Sequence, residues 1–166
     1  SILRPLAPLF DLPMSSFSRG GFVQENIVAN GVHMAPALCF EIAFPRQVSA
    51  NVHQDTGMII TVSNDAWFGE SHGPAQHLQI AQVRAKEMGR PVVRATNNGI
   101  TAFIDDAGNI TSRLPQFERA SITETVSATT GFTPYRLLGE WPMVVLLLIS
   151  LGTALFLQRA SKRDHN

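Results

Sequence analysis

Met34-Ala-Pro-Ala-Leu-Cys-Phe-Glu41 is an apolar run that ends on the chain's single cysteine and leads into a helical pattern. Val32 to Leu38 predicts a buried strand, and Ala43 to His53 a helix with Pro45 in its first turn, where a missing N–H is tolerated. A strand feeding straight into a helix decides the fold, because the same alternation repeats down the chain. Gly57 closes the helix, and Met58-Ile-Ile-Thr-Val-Ser63, rich in β-branched residues, predicts the next strand. Pro74 to Met88 predicts a second helix, with Leu78, Ala81, Ala85 and Met88 on one face and Gly89 as its stop. Pro91-Val-Val-Arg-Ala-Thr96 and Ile100-Thr-Ala-Phe-Ile-Asp105 flank Asn97-Asn-Gly99, a hairpin signal. Asp106-Ala-Gly-Asn109 forms another turn, followed by strands over Ile110 to Leu114 and near Ala120 to Val126. Strands flanked by helices and closed by hairpins predict a layered α/β domain rather than a bundle.

The two ends of the chain read differently. Trp141 to Leu157, WPMVVLLLISLGTALFL, carries no charge and is just long enough to cross a bilayer core. It is apolar all round, which distinguishes it from a helix packed by one face. Trp141 stands at one boundary and Arg159, Lys162 and Arg163 at the other, the pattern of an interfacial aromatic and a positive inner flank. The tail is therefore expected inside and everything before Trp141 outside. The beginning of the chain, residues 1 to about 21, is a Pro-rich apolar loop open to two readings, ordinary surface coil and a membrane-facing lid. The chain opens within that stretch rather than on an initiating Met, so further spans are expected upstream of Ser1.

Thirteen basic residues balance thirteen acidic ones, which argues against a nucleic-acid partner. A lone cysteine in an oxidising compartment has no partner for a disulfide, so its thiol stays free. Cys39 lies where a strand turns into a helix, a corner that exposes a side chain beside backbone N–H groups. The Phe40 N–H is the natural oxyanion donor there. From the residues alone two readings stay open, a nucleophile that needs a base or positive charge beside it and a buried filler. Ser63-Asn-Asp-Ala-Trp-Phe-Gly69 follows the next strand and offers a pocket wall in Asn64, Trp67 and Phe68. Asn64 and Asp65 can equally serve as loop residues that satisfy backbone groups. No metal site is expected: His72 and His77 are five apart, off a common helix face, and no metal-ligand motif accompanies them or His53.

Taken together, Cys39-Phe-Glu41, Ser63-Asn-Asp-Ala-Trp-Phe-Gly69, Gly73-Pro-Ala-Gln-His77, Arg84-Ala-Lys-Glu87, Gly89-Arg-Pro91, Arg94-Ala-Thr-Asn-Asn-Gly-Ile-Thr101 and Thr129-Thr-Gly-Phe-Thr-Pro-Tyr135 closely resemble the carboxy-terminal part of the apolipoprotein N-acyltransferases. These form a membrane-bound family within the nitrilase (carbon-nitrogen hydrolase) superfamily. The resemblance implies a nitrilase-like α-β-β-α sandwich whose carboxy-terminal half occupies residues 1–138. A transmembrane helix over 139–158 and a cytoplasmic tail over 159–166 would follow. It implies a catalytic domain on the periplasmic side of the bacterial inner membrane.

The implied reaction moves a fatty acyl chain from a phospholipid donor to the α-amino group of an apolipoprotein's S-diacylglyceryl cysteine, with no cofactor. Family chemistry uses a Glu base, a Lys and a Cys nucleophile. Cys39 matches the nucleophile, while the Glu and Lys are expected upstream of Ser1, so residues 1–166 alone are expected to be inactive. Glu41 either orders the site, binds the amine, or is a carboxylate favoured at a helix start. Trp67, Phe68 and the Leu3 to Phe17 stretch are expected to keep the entrance poor in water. A membrane-tethered amidase and a non-catalytic binding module are the competing readings.

Overall fold

In the computed structural model, which describes residues 20–163, the strands form one six-stranded sheet in chain order. They are β1 (Ile27–Ala29), β2 (Val32–Leu38), β3 (Thr56–Asn64), β4 (Val92–Asn97), β5 (Ala102–Ile104) and β6 (Ile110–Arg113). β2, β3 and β4 run parallel, while β1, β5 and β6 join antiparallel at the two sides. Helices α1 (Pro45–Asn51) and α2 (Gly73–Met88) make the crossovers that parallel neighbours require. A short α3 (Pro134–Leu138) and a long α4 (Trp141–Arg163) follow the sheet.

Two rows of side chains set the register. Ala35 pairs with Ile59, Ile59 with Val92 and Val92 with Ile104; two residues along, Ala37 pairs with Thr61, Thr61 with Arg94 and Arg94 with Ala102. Every one of these is buried. The apolar members join Ile42, Val48, Val52, Leu78, Ala81, Ala85 and Met88 in a core under α1 and α2. Strand side chains alternate, so a slip of one residue would turn both rows away from the helices. The opposite face carries Met34, Pro36, Met58, Ile60, Val93 and Phe103, all half-buried, with Leu38 and Val62 exposed. Strands apolar on both faces belong in a sheet covered on both sides. The predicted α-β-β-α architecture asks this of each of its sheets.

Several expectations need correction. The first helix begins at Pro45 rather than Ala43, because Cys39–Ala43 closes first as a 3-10 turn, and it ends at Asn51. Proline suits this first helical position, where its absent N–H is not needed. β1 was not expected, although Asn30-Gly31, both at positive φ, is a hairpin signal. No strand forms over Ala120 to Val126. Ile122, Glu124 and Val126 do alternate with exposed neighbours, but periodicity reports alternation and not pairing. The Asn97-Asn-Gly99 turn is wider than a two-residue hairpin, since β4 and β5 pair only as far as Arg94 and Ala102. Thr101 closes it instead, its hydroxyl accepting the Thr96 N–H at 3.1 Å. The Leu3 to Phe17 stretch lies outside the described residues.

Past the sheet, the chain is tied down by a buried cation. Arg90, 1% exposed, donates Nε to Thr56 O at 2.5 Å, Nη1 to Gly89 O at 3.0 Å and Nη2 to Gly131 O at 2.8 Å. Thr129 adds a backbone bond to Gly57 O at 3.0 Å. α4 then runs on to Arg163, and none of Trp141–Gln158 is buried. Its hydroxyls are satisfied internally, Ser150 to Leu146 O and Thr153 to Ile149 O, both at 2.8 Å. By length and composition it can cross a membrane.

Ile59→Ala should lower stability by about 2–5 kcal/mol through lost burial and a residual cavity. Val83→Ala, on the exposed side of α2, should stay within about 0.5 kcal/mol; denaturant midpoints of the purified protein check both. Asp105 accepts Asn109 Nδ2 at 3.0 Å, Asn109 N at 2.7 Å and Ala107 N at 3.0 Å. The Asn109 side chain, first among these, holds the Asp105 carboxyl below its usual value. The folded form thus binds this proton less readily than the unfolded chain. Its stabilisation is present above the ordinary Asp value of about 3.9 and disappears as pH falls through the lowered one. Melting curves of Asp105→Asn should accordingly lose less stability than the parent on acidification below about pH 4.

Candidate active site

The parallel strands β2, β3 and β4 end along one edge, at Leu38, Asn64 and Asn97. Ligand sites of open α/β sheets form at this edge. Cys39 is the first residue past β2, with its thiol exposed and φ at 51°. A non-glycine residue held there costs about 1–3 kcal/mol and persists only where surrounding bonds over-determine it. Two such bonds are present. Glu41 Oε2 accepts the Leu38 N–H at 2.7 Å, and His77 Nε2 lies 3.2 Å from Cys39 O. A carbonyl can only accept, so Nε2 carries the hydrogen. Ser63 Oγ stands 3.4 Å from Cys39 Sγ. The register explains that contact, because Leu38 pairs with Val62 and the next step brings Cys39 level with Ser63.

Beneath the thiol lies a charged set closed to solvent. Asp65 is 0% exposed, Arg94 1% and His77 3%. Asp65 Oδ1 accepts Ser63 Oγ at 2.6 Å and lies 3.0 Å from His77 Nδ1, while Oδ2 accepts Arg94 Nη2 at 2.7 Å. Arg94 Nη2 is also 3.1 Å from His77 Nδ1, and Arg94 Nε donates to Ile100 O at 3.2 Å. Burial pulls the Arg94 guanidinium below its ordinary value, and the Asp65 carboxylate opposes that shift. The Asp65 N–H donates to Asn97 O at 3.0 Å, which fastens the β3 loop to the end of β4.

The candidates named from sequence fall around this set in different roles. Cys39 and Phe40 are exposed at the corner, and the Phe40 ring lies edge-on to Phe44 at 5.6 Å and tilted to His77 at 6.4 Å. Glu41 faces back to the Leu38 N–H, which makes it a brace of the corner. Asn64 Oδ1 accepts Ala66 N at 3.2 Å, and Asn97 Nδ2 reaches it at 3.4 Å. Phe68 meets His77 edge-on at 6.3 Å, whereas Trp67 stands 86% exposed. Sequence reasoning missed Ser63, Arg94 and the roles of Asp65 and His77. A signal existed for His77 and Arg94: His77 shares the helix face of Ala81 and Ala85, and Arg94 shares the strand parity of Val92.

Among the described residues, no group of three or more His, Cys, Asp or Glu side chains could hold a metal ion. A cavity of about 520 Å³ lies where α1, α3 and α4 meet, lined by Arg46, Ser49, Tyr135, Arg136, Glu140 and Trp141 among others. It contains none of the candidate site residues.

Residues 9–135 match the family model described as carbon-nitrogen hydrolase. An apolipoprotein N-acyltransferase from Vibrio parahaemolyticus is 58% identical over 98% of this chain and 32% of its own length. One from Vibrio vulnificus is 56% identical over 95% of this chain and 31% of its own length. The chain thus spans about a third of the length of these curated relatives. The crystal structure of a carbon-nitrogen hydrolase from Helicobacter pylori G27 shares the fold, with a TM-score of 0.55 at 13% identity over 62% of this chain and 43% of that one.

A Cβ added at Gly99 would stand 2.8 Å from Asp65 Cγ. Gly99→Ala should therefore displace the carboxylate and cost about 1–3 kcal/mol through overpacking; a lowered melting midpoint would register it.

Proposed function

Because the chain belongs to the carbon-nitrogen hydrolase family, we propose that Cys39 is the nucleophile of an apolipoprotein N-acyl transfer. The observation that carries this reading is the corner itself: an exposed thiol, held at positive φ where β2 ends, with its carbonyl and its sulfur each contacted by a side chain of another element. The names of the relatives supply the reaction. In the first half, Cys39 Sγ attacks an ester carbonyl of a phospholipid, the thiol proton goes to a base, and the lysophospholipid alkoxide leaves with a proton. In the second, the α-amino group of a diacylated apolipoprotein attacks the thioester, its proton passes to the base and on to the departing Cys39 sulfur, and an amide remains. Each half passes through a tetrahedral oxyanion, for which the Phe40 N–H is the proposed donor. The base and the lysine of family chemistry are assigned to no residue here.

Asn64, Trp67 and Phe68 would line the approach to the thiol, with Glu41 bracing the corner. The reading divides the chain into the domain at 1–138, a membrane helix over 139–158 and a tail at 159–166. It places the domain on the periplasmic side of the inner membrane and the tail in the cytoplasm. The exposed apolar surface of α4 supports a membrane location, and Trp141 would mark its interface.

The full-length protein, purified from its membrane and examined by mass spectrometry, should carry a fatty acyl mass on Cys39 that hydroxylamine removes. Cys39→Ala should carry none and should transfer no acyl chain to a diacylated lipopeptide. Transfer that survives Cys39→Ala would sink the reading. Free fatty acid formed without any N-acylated peptide would favour the hydrolase instead.

A further inference from the structure

The polar set below Cys39 joins Ser63, Asp65, His77 and Arg94, and the Ser63 hydrogen can be assigned. Ser63 has one hydroxyl hydrogen and two acceptors in reach, Asp65 Oδ1 at 2.6 Å and Cys39 Sγ at 3.4 Å. The ionised carboxylate is the nearer and stronger acceptor, so the hydrogen lies toward Asp65. Ser63 Oγ then turns a lone pair to the sulfur and accepts the thiol S–H. This leaves the open side of Sγ, which is exposed to solvent, free of its own hydrogen. Once the thiol proton departs, the only way for Ser63 to serve the thiolate is to release Asp65 and rotate its hydrogen to sulfur. In that second position Asp65 keeps Arg94 Nη2 on Oδ2 at 2.7 Å, and His77 Nδ1, with the ring hydrogen on Nε2, accepts from the same Nη2 at 3.1 Å.

We propose that Asp65, His77 and Arg94 act as one positioning device for the nucleophile, holding Cys39 by two atoms: the carbonyl oxygen through His77 and the sulfur through a Ser63 hydroxyl that switches partners as the thiol ionises. The proposal rests on Cys39 being the nucleophile. His77 fixes where the corner sits, and Ser63 fixes where the sulfur points. The members come from separate elements, Ser63 from β3, Asp65 from the loop after it, His77 from α2 and Arg94 from β4. The corner is therefore placed by the sheet and helix together rather than by its own turn. Arg94 is close enough to Cys39 for a thiolate there to favour its charged form.

The test reads the thiol directly, by the pH dependence of iodoacetamide labelling at Cys39 in the full-length protein, followed by mass spectrometry. The charged and titratable groups around the thiol are Glu41 from its own turn, Asp65 after β3, His77 from α2 and Arg94 from β4. Asp65→Asn leaves the Arg94 charge unopposed and should move the labelling midpoint to lower pH. Arg94→Gln leaves Asp65 unopposed and should move it to higher pH. Ser63→Ala removes the hydroxyl that serves the thiolate, so its midpoint should rise and thioester formation in a single turnover should fall about tenfold or more, as for a bond to a charged group. His77→Gln keeps an N–H for Cys39 O and should retain more acylation than His77→Leu.

Shifts of the same sign for Asp65→Asn and Arg94→Gln would mean general loosening and would overturn the proposal. So would an unchanged labelling profile in Ser63→Ala, which alone decides the matter if the buried-charge variants fail to fold. Labelling needs no acyl donor, so an absent acyl adduct would count against the proposed reaction and not against this device.

Discussion

The ion pair between Asp65 and Arg94 sits in the dry space beneath the strand ends, and the corner that carries Cys39 is built around it. Such a pair is a poor source of net stability, because desolvating both charges offsets most of their attraction. Its effect lies in what it forbids. With one partner gone, the other is an uncompensated buried charge, a loss of about 3–5 kcal/mol, so arrangements that separate the loop after β3 from β4 are strongly disfavoured. Each Asp65 oxygen is committed, Oδ2 to Arg94 and Oδ1 to Ser63, and the backbone N–H is committed to Asn97 O. Few rotations of that side chain preserve all of these bonds.

The sheet makes room for this pair through its choice of residue sizes. The row Ala35, Ile59, Val92 and Ile104 fills the space under the helices with branched side chains. In the next row the neighbours of Arg94 are Thr61 and Ala102, with Ala37 beyond, all small. A guanidinium can therefore lie over them without forcing the helices outward, and the core gives way to polar contacts one row below the thiol. Gly99 completes the space, since any side chain there meets Asp65. Close packing leaves no slack at such a boundary, so small residues are as necessary to the site as charged ones.

Much of this was readable in the chain. An apolar run located β2, the β-branched stretches located β3 and β4, the face of Leu78, Ala81, Ala85 and Met88 located α2, and the abrupt change at Leu38-Cys39 located the corner. What escaped was the buried polar set, because pattern reading takes apolar residues as the inside and polar ones as the outside. Arg94 and His77 violate that rule while sitting on buried parities, and only their mutual contacts explain how the violation is tolerated. Glu41 was left open between ordering the site, binding the amine and serving as a helix-start carboxylate, and its bond to the Leu38 N–H is one that no periodicity can show. The Ala120 to Val126 misreading has the opposite cause, a pattern that is present without a partner strand to pair with.

The surroundings of the thiol bear on which nucleophile could complete the proposed reaction. Phe40, Phe44 and Trp67 are exposed, and all lie on or beside the elements that meet at the corner. An apolar rim of this kind suits a site that holds acyl chains and keeps water back while an amine approaches. A thioester tolerates such a rim because its own acyl chain covers it. The same logic would link the corner to α4: an apolar helix exposed along its length can cross a membrane, and under the proposed reaction a substrate drawn from lipid would reach the thiol without crossing water. Under the proposed reaction the buried ion pair, the strained corner and the exposed aromatics would divide the work, the first fixing position, the second presenting the sulfur and the third governing what comes near it.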